Sequence, residues 1–118
     1  MDYVEPGGQN PVAKWLSGLP DDAQGAIATR LLAMEALPRW SEKWATKLAS
    51  WEGLIELRIS FNRVQYRPLG VYQPGRVFVL LTGAIEKGDE IPRRHLETAD
   101  RRRKNLMKEP HRVRLHEY

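Results

Sequence analysis

The sequence predicts an α+β fold: an N-terminal helical hairpin packed on a small antiparallel sheet, followed by a basic C-terminal helix. Three observations lead there. Residues 10–37 hold two stretches of helical apolar spacing. Residues 54–83 hold three strand-like runs separated by turn residues. Residues 92–107 carry a thin apolar stripe on an otherwise charged stretch. The 118 residues fit one domain spanning 1–118, long enough to bury a core without disulfides or metals.

Asn10-Pro11 starts the first helix, a capping side chain followed by proline at the first helical position. That helix ends near Gly18. The second begins around 20–22, where Asp21 and Asp22 suit the positive end of the helix dipole. Ala23, Ala26, Ile27, Leu31, Met34 and Leu37 share one face, and Pro38 stops the run. Trp40 and Trp44, four apart, read as a helical turn, and Trp51-Glu52-Gly53 as a turn before the first long strand. Strands are expected at 54–61, 64–72 and 76–83. In the first, Leu57, Ile59 and Phe61 alternate with Glu56, Arg58 and Ser60. Asn62-Arg63 and Pro74-Gly75 make the two turns, the latter of type II. Pro68 cannot donate to a ladder, so a bulge or strand edge is expected there. Pro92 opens the last helix, which runs to about Met107, and the tail HRVRLHEY adds a short final strand.

Composition narrows the chemistry. The chain has no cysteine, which excludes disulfides, a thiolate nucleophile and a cysteine-based zinc site. His95, His111 and His116 follow no metal-ligand spacing, so neither metal nor other cofactor is expected. No apolar run approaches the ~18–20 residues of a membrane span, and MDYVEPGGQN lacks a signal-peptide pattern. A soluble cytoplasmic protein with no membrane partner is the expectation. The net charge of +4 is uneven. Acids predominate before residue 38, whereas arginine and lysine crowd residues 92–118. A basic half of this kind suits a polyanionic partner, nucleic acid first.

The strand pattern also sets up a pair of cations. In a tight hairpin Ile59 faces Tyr66, and Arg58 then faces Arg67. Like charges directly opposite cost some part of ~0.2–1 kcal/mol, so an anion is expected to lie between them. Leu57, Ile59, Val64 and Tyr66 would meet the helices. Glu56, Arg58, Ser60, Gln65 and Arg67 would line an open face, with Thr82 beside Arg67. Arginine suits phosphate because its planar fork binds two oxygens at once. The competing structural reading is an ion pair with Glu56 or Glu52.

The stretches LIELRISF, QYRPLGVY, VFVLLTG and EKGDEIP, with a basic helix containing ETADRRR, resemble the HigB-like, phage-derived branch of the RelE/ParE toxin superfamily. The resemblance covers about residues 44–107. It implies a RelE-like fold, a toxin of a type II toxin–antitoxin pair, and commonly a ribosome-dependent endoribonuclease that cuts mRNA without a metal. It also implies an antitoxin partner, often a helix-turn-helix protein. Arg58 matches the basic residue of the first strand, Arg67 the arginine of a tyrosine-arginine motif, and Lys87 the lysine-rich loop after the third strand. His116 and Tyr118, on a tail that returns to the open face in some relatives, complete the candidate catalytic set. Lys47, Arg93, Arg94, Arg101 and Arg102 are the candidate RNA contacts. The chain departs from the pattern at Thr82, Ala84, Glu86, Asp89 and Glu90, where relatives often carry histidine, aromatic, lysine or polar residues. Those departures leave two alternatives: a ParE-like DNA gyrase inhibitor that cleaves no RNA, or a phage-derived accessory protein whose activity has decayed.

Overall fold

A computed structural model describes residues 1–118. The chain opens on a strand, β1 (Asp2–Tyr3), before α1 (Pro11–Ser17) and α2 (Asp21–Glu35). Five strands follow: β2 (Ala45–Lys47), β3 (Ile55–Leu57), β4 (Ile59–Phe61), β5 (Val64–Gln73) and β6 (Val77–Ile85). Helix α3 (Arg93–Lys108) and β7 (Val113–Arg114) close the chain. The strands form one seven-stranded sheet in the order β2-β3-β5-β6-β1-β7, with β4 also paired to β5. Strand β1 runs parallel to β6, so the sheet is mixed.

This corrects the expected architecture. The sheet is neither small nor wholly antiparallel, and no helical hairpin leads the fold. Seven strands outnumber three helices, α1 lies on β6 and β1, and α2 lies against β4. The helix-first arrangement implied by the RelE resemblance is therefore overturned. The reason is visible in the missed strands. β1 and β7 are two residues long and β2 is three, too short to display a period-2 alternation. Trp44 ends a turn rather than extending a helix, and β2 begins at the next residue.

Where the local signals are strong, they hold. Asn10 caps α1, its side-chain oxygen accepting from the Ala13 N–H at 2.9 Å, with Pro11 at the first helical position. Helix α2 buries Ala23, Ile27, Leu31 and Met34, one stripe, against Leu57, Ile59, Tyr66 and Leu80 of the sheet. Burying four such side chains contributes roughly 25 cal/mol per Å² of apolar area removed from water.

The other sheet face is covered as well. Ala99 and Leu106 of α3 pack with Tyr3, Leu54, Leu69, Val79 and Leu81 in a second cluster. The expectation of an open face carrying Arg67 thus fails over much of the sheet. A thin apolar stripe was enough for α3, because the strands beneath supply the rest of the apolar contact.

One irregularity decides the site. Between Leu69 and Gly70 the β5–β6 register slips, leaving Leu81 as an extra residue. Thr82 consequently stands opposite Leu69, and Ala84 stands opposite Arg67. Gly83 meets the Trp15 ring so closely that a Cβ there would lie 2.0 Å from it, which is why only glycine fits.

Candidate functional site

Arg58 sits where the first long strand breaks. β3 and β4 share one register against β5, and in that register Leu57 falls opposite Pro68, which offers no ladder N–H. The backbone of Arg58 is held from elsewhere. Its N–H donates to the Trp44 carbonyl at 2.8 Å, and its carbonyl accepts from Arg30 Nη1 at 2.9 Å. Arg30 itself lies over the Trp44 ring, 4.4 Å from the centroid. The Arg58 side chain donates to Glu56 at 2.7 Å and remains 40% exposed.

Arg58 does stand opposite Arg67 by register, yet the two guanidinium groups do not form an open pair. Arg67 is 2% exposed. Its Nε donates to Glu86 at 2.8 Å, one Nη to the Tyr66 carbonyl at 3.0 Å, and the other to Gln65 Oε1 at 3.4 Å. Glu86 reaches it because the slipped register sets Glu86 across from Gln65, where its N–H donates to the Gln65 carbonyl at 3.0 Å. The row Arg58, Arg67, Thr82 is broken at both its second and third members. Two one-residue shifts leave no trace in an apolar pattern and misplace Thr82: the turn sets Gln73 opposite Val77 rather than Arg76, and the bulge at Leu81 adds the second.

A different set of cations does converge. Arg58 of the broken strand, Lys87 of the loop after β6, and Arg93 of the first turn of α3 line one cleft. Lys87 is presented by a tight turn, its N–H donating to the Glu90 carbonyl at 2.8 Å and the reverse bond closing at 3.1 Å. Gly88 and Asp89 adopt positive φ there, conformations that glycine and aspartate accept most readily. No side chain caps the N-terminus of α3, and its first turn holds Arg93, Arg94 and His95 with no acid. Basic residues at the positive end of a helix are disfavoured, so this turn gains from an anion. The cleft also carries Glu56, Glu86, Asp89 and Glu90.

His95 belongs to this turn, although it is not among the residues lining the cleft. Burial, and then the charges of Arg94 and Lys87, hold its imidazole below the ordinary histidine range. The shift keeps the neutral imidazole, the form that can accept a proton, populated to lower pH than in a free histidine. The sequence alone marks it as a surface residue; only its nearness to Lys87, across the loop, gives it chemical interest.

The other candidates scatter. Lys47 is exposed on the edge strand β2, next to Leu48 of the cleft, and Arg94 is exposed on α3. Arg101 is half-exposed with Glu5 at 3.9 Å. Arg102 is nearly buried, bonded to Glu5 at 2.9 Å and to the Leu81 carbonyl at 2.9 Å, so it ties α3 to the N-terminal segment. His116 and Tyr118 do not reach the cleft. His116 Nδ1 contacts the buried Asp2 at 2.8 Å, at the β1–β7 side of the sheet and away from β3.

Tyr118 donates to Glu35 at 2.5 Å on the α2 side. Burial, reinforced by the Glu35 hydrogen bond, raises its phenol to about 12. A folded value raised above the ordinary 10.0 contributes stability that is full below pH 10 and lost as pH climbs toward 12. Relative to Tyr118→Phe, the parent should therefore lose a little stability as pH climbs from 10 toward 12, a small effect because the residue is 56% exposed. Tyrosinate absorbance should show one late-ionising phenol that the variant lacks.

The chain matches the family model described as "Phage derived protein Gp49-like (DUF891)" over residues 14–104. It belongs to that family, which is part of the RelE/ParE-like toxin superfamily. No curated protein matches the chain. The matched stretch contains Arg58, Lys87, Arg93 and His95, whereas His116 and Tyr118 fall beyond it. No helix is long and apolar enough to cross a membrane.

Proposed function

We propose that the chain is the toxin of a HigB-like toxin–antitoxin pair, acting as a ribosome-dependent endoribonuclease on mRNA, with an antitoxin as its regulatory partner. The observation that carries the reading is the meeting of Arg58, Lys87 and the uncapped, cationic first turn of α3 in one cleft. Cleavage without a metal needs a base for the ribose 2′-hydroxyl, an acid for the leaving 5′-oxygen, and cations for the charge of the phosphorane. Arg58 and Lys87 supply cations, Arg93, which also donates to Glu97 at 3.0 Å, adds a third, and His95, two residues further along the first turn of α3, is the proposed base. Arg67 acts behind them, fixing Glu86 and the strand end that leads to Lys87.

The second reading, a ParE-like toxin that binds without cleaving, is favoured by one observation. Glu86 occupies Arg67, and three further carboxylates share the cleft, so free positive charge there is modest. Induced expression decides. Growth arrest with cuts in translated mRNA by primer extension supports the nuclease; arrest with intact transcripts and damaged DNA supports gyrase inhibition; unimpaired growth removes both.

A further inference from the structure

On the α2 face, away from the cationic cleft, lies a larger groove of about 1070 Å³. It exceeds the volume that usually encloses a small ligand, and it is open along its length. Leu37, Trp40, Tyr72 and Phe78 form its walls, and the C-terminal tail borders it through Leu115 and Tyr118. The aromatic side chains are fixed in place. Trp40 stacks on Tyr72 at 5.8 Å, Phe78 meets both rings edge-on at 5.1 Å, and the indole N–H donates to the Met34 carbonyl at 2.7 Å. Leu37 and Tyr72 are nevertheless about half exposed, an apolar surface ready to be covered.

Charge identifies what covers it. Arg39 and Arg76 stand exposed at the rim, and neither makes an ion pair or a side-chain hydrogen bond. The carboxylate on the same wall, Glu35, is already engaged by Tyr118. Arg76 has φ 61°, a left-handed conformation that glycine or asparagine adopts more easily.

We propose that this groove docks an acidic, amphipathic helical segment of a partner protein, its apolar stripe on the Trp40–Tyr72–Phe78 wall and its carboxylates on Arg39 and Arg76. The proposal deepens the toxin reading, since an antitoxin is the partner it serves, and it names the surface used. Rigid aromatic anchors with a charged rim are the usual anatomy of helix-in-groove recognition. A second copy of this chain fits less well, because its net charge of +4 would meet a cationic rim.

A display library of random segments of about 14 residues, an average helix length, tests this on the full chain. Enriched segments should set Asp or Glu beside Leu, Ile or Phe at helical spacing. They should bind the Arg39→Ser/Arg76→Gly protein about tenfold more weakly, with its melting temperature unchanged or higher. Arg76→Gly relieves the left-handed backbone, so loss of binding cannot be attributed to misfolding. Enrichment of basic or uncharged segments, no enrichment, or equal binding to the double variant overturns the proposal. So does displacement of selected segments by a single-stranded oligouridylate, or a dimer that buries Trp40 by sedimentation and fluorescence. Growth arrest is scored separately. A double variant that still arrests growth leaves the toxin reading standing whatever the library yields, and a parent that never arrests growth removes that reading without touching the binding result.

Discussion

Arg67→Ala is expected to destabilise the protein strongly before it reveals anything about chemistry. The guanidinium is 3% exposed and its partner carboxylate 13% exposed, so truncation leaves Glu86 charged and largely cut off from water. Breaking a buried pair from one side typically costs about 3–5 kcal/mol; the residual solvent contact of Glu86 argues for the lower end, about 3 kcal/mol. Against a total of roughly 5–15 kcal/mol that is a large share, and the melting temperature should fall by about 10 °C or more. Two further acceptors, the Tyr66 carbonyl and Gln65 Oε1, lose donors at the same time. The decisive comparison is Arg67→Met with Glu86→Leu, which removes both charges and should recover most of the loss. A thermal melt of Arg67→Ala within two or three degrees (about 0.5 kcal/mol) of the parent would show that the pair contributes little. Growth assays on Arg67→Ala alone read folding, and loss of toxicity there assigns no catalytic role.

What could be read from the sequence follows how each element is specified. α1, α2 and α3 announce themselves through Asn10-Pro11, the Ala23–Met34 stripe and Pro92, signals that act over a few residues. The β4–β5 hairpin is equally local, and Ile59 does face Tyr66. The errors begin where distant segments decide. β1 pairs with β6 at Leu80, nearly eighty residues away, and two residues carry no period that could reveal it. The β5–β6 turn, which sets Gln73 opposite Val77, and the bulge at Leu81 each shift the register by one residue, and together they place Ala84 opposite Arg67 and bring Glu86 within reach. Abundant charge is legible in the sequence, and so is the Arg58–Glu56 pair, the competing structural reading of that arginine, whereas the Arg67–Glu86 pair is not. Of the candidate cations, Arg67 and Arg102 serve the fold, whereas Arg58, Lys87 and Arg93 reach a common cleft. The arginine fork that fits a phosphate fits a carboxylate as well, so residue type alone cannot say which one it meets.

Lys87→Ala is expected to leave the fold intact and to lower mRNA cleavage by about a hundredfold, the usual effect of removing one preorganised group that stabilises developing charge. The side chain is exposed, and it forms no ion pair and no side-chain hydrogen bond, so its loss strands nothing. The turn that presents it closes through backbone groups of Lys87 and Glu90, which alanine retains. Arg58→Ala is a poorer probe, because it abandons Glu56, which is 7% exposed. Arg58→Lys keeps the charge and removes only the two-pronged grip, so it should slow cleavage while its melting temperature stays close to the parent's. Two readouts separate a cleft that binds RNA from one that merely neighbours it. Primer extension on translated mRNA should show the codon-linked cuts fading in Lys87→Ala while growth recovers. The salt dependence of ribosome or RNA binding should fall by about 0.7 in logarithmic slope, the share of one phosphate contact on a single strand. Unchanged slope together with undiminished cuts would place Lys87 outside the site, and the cleft would then lose the one cation that no carboxylate already claims.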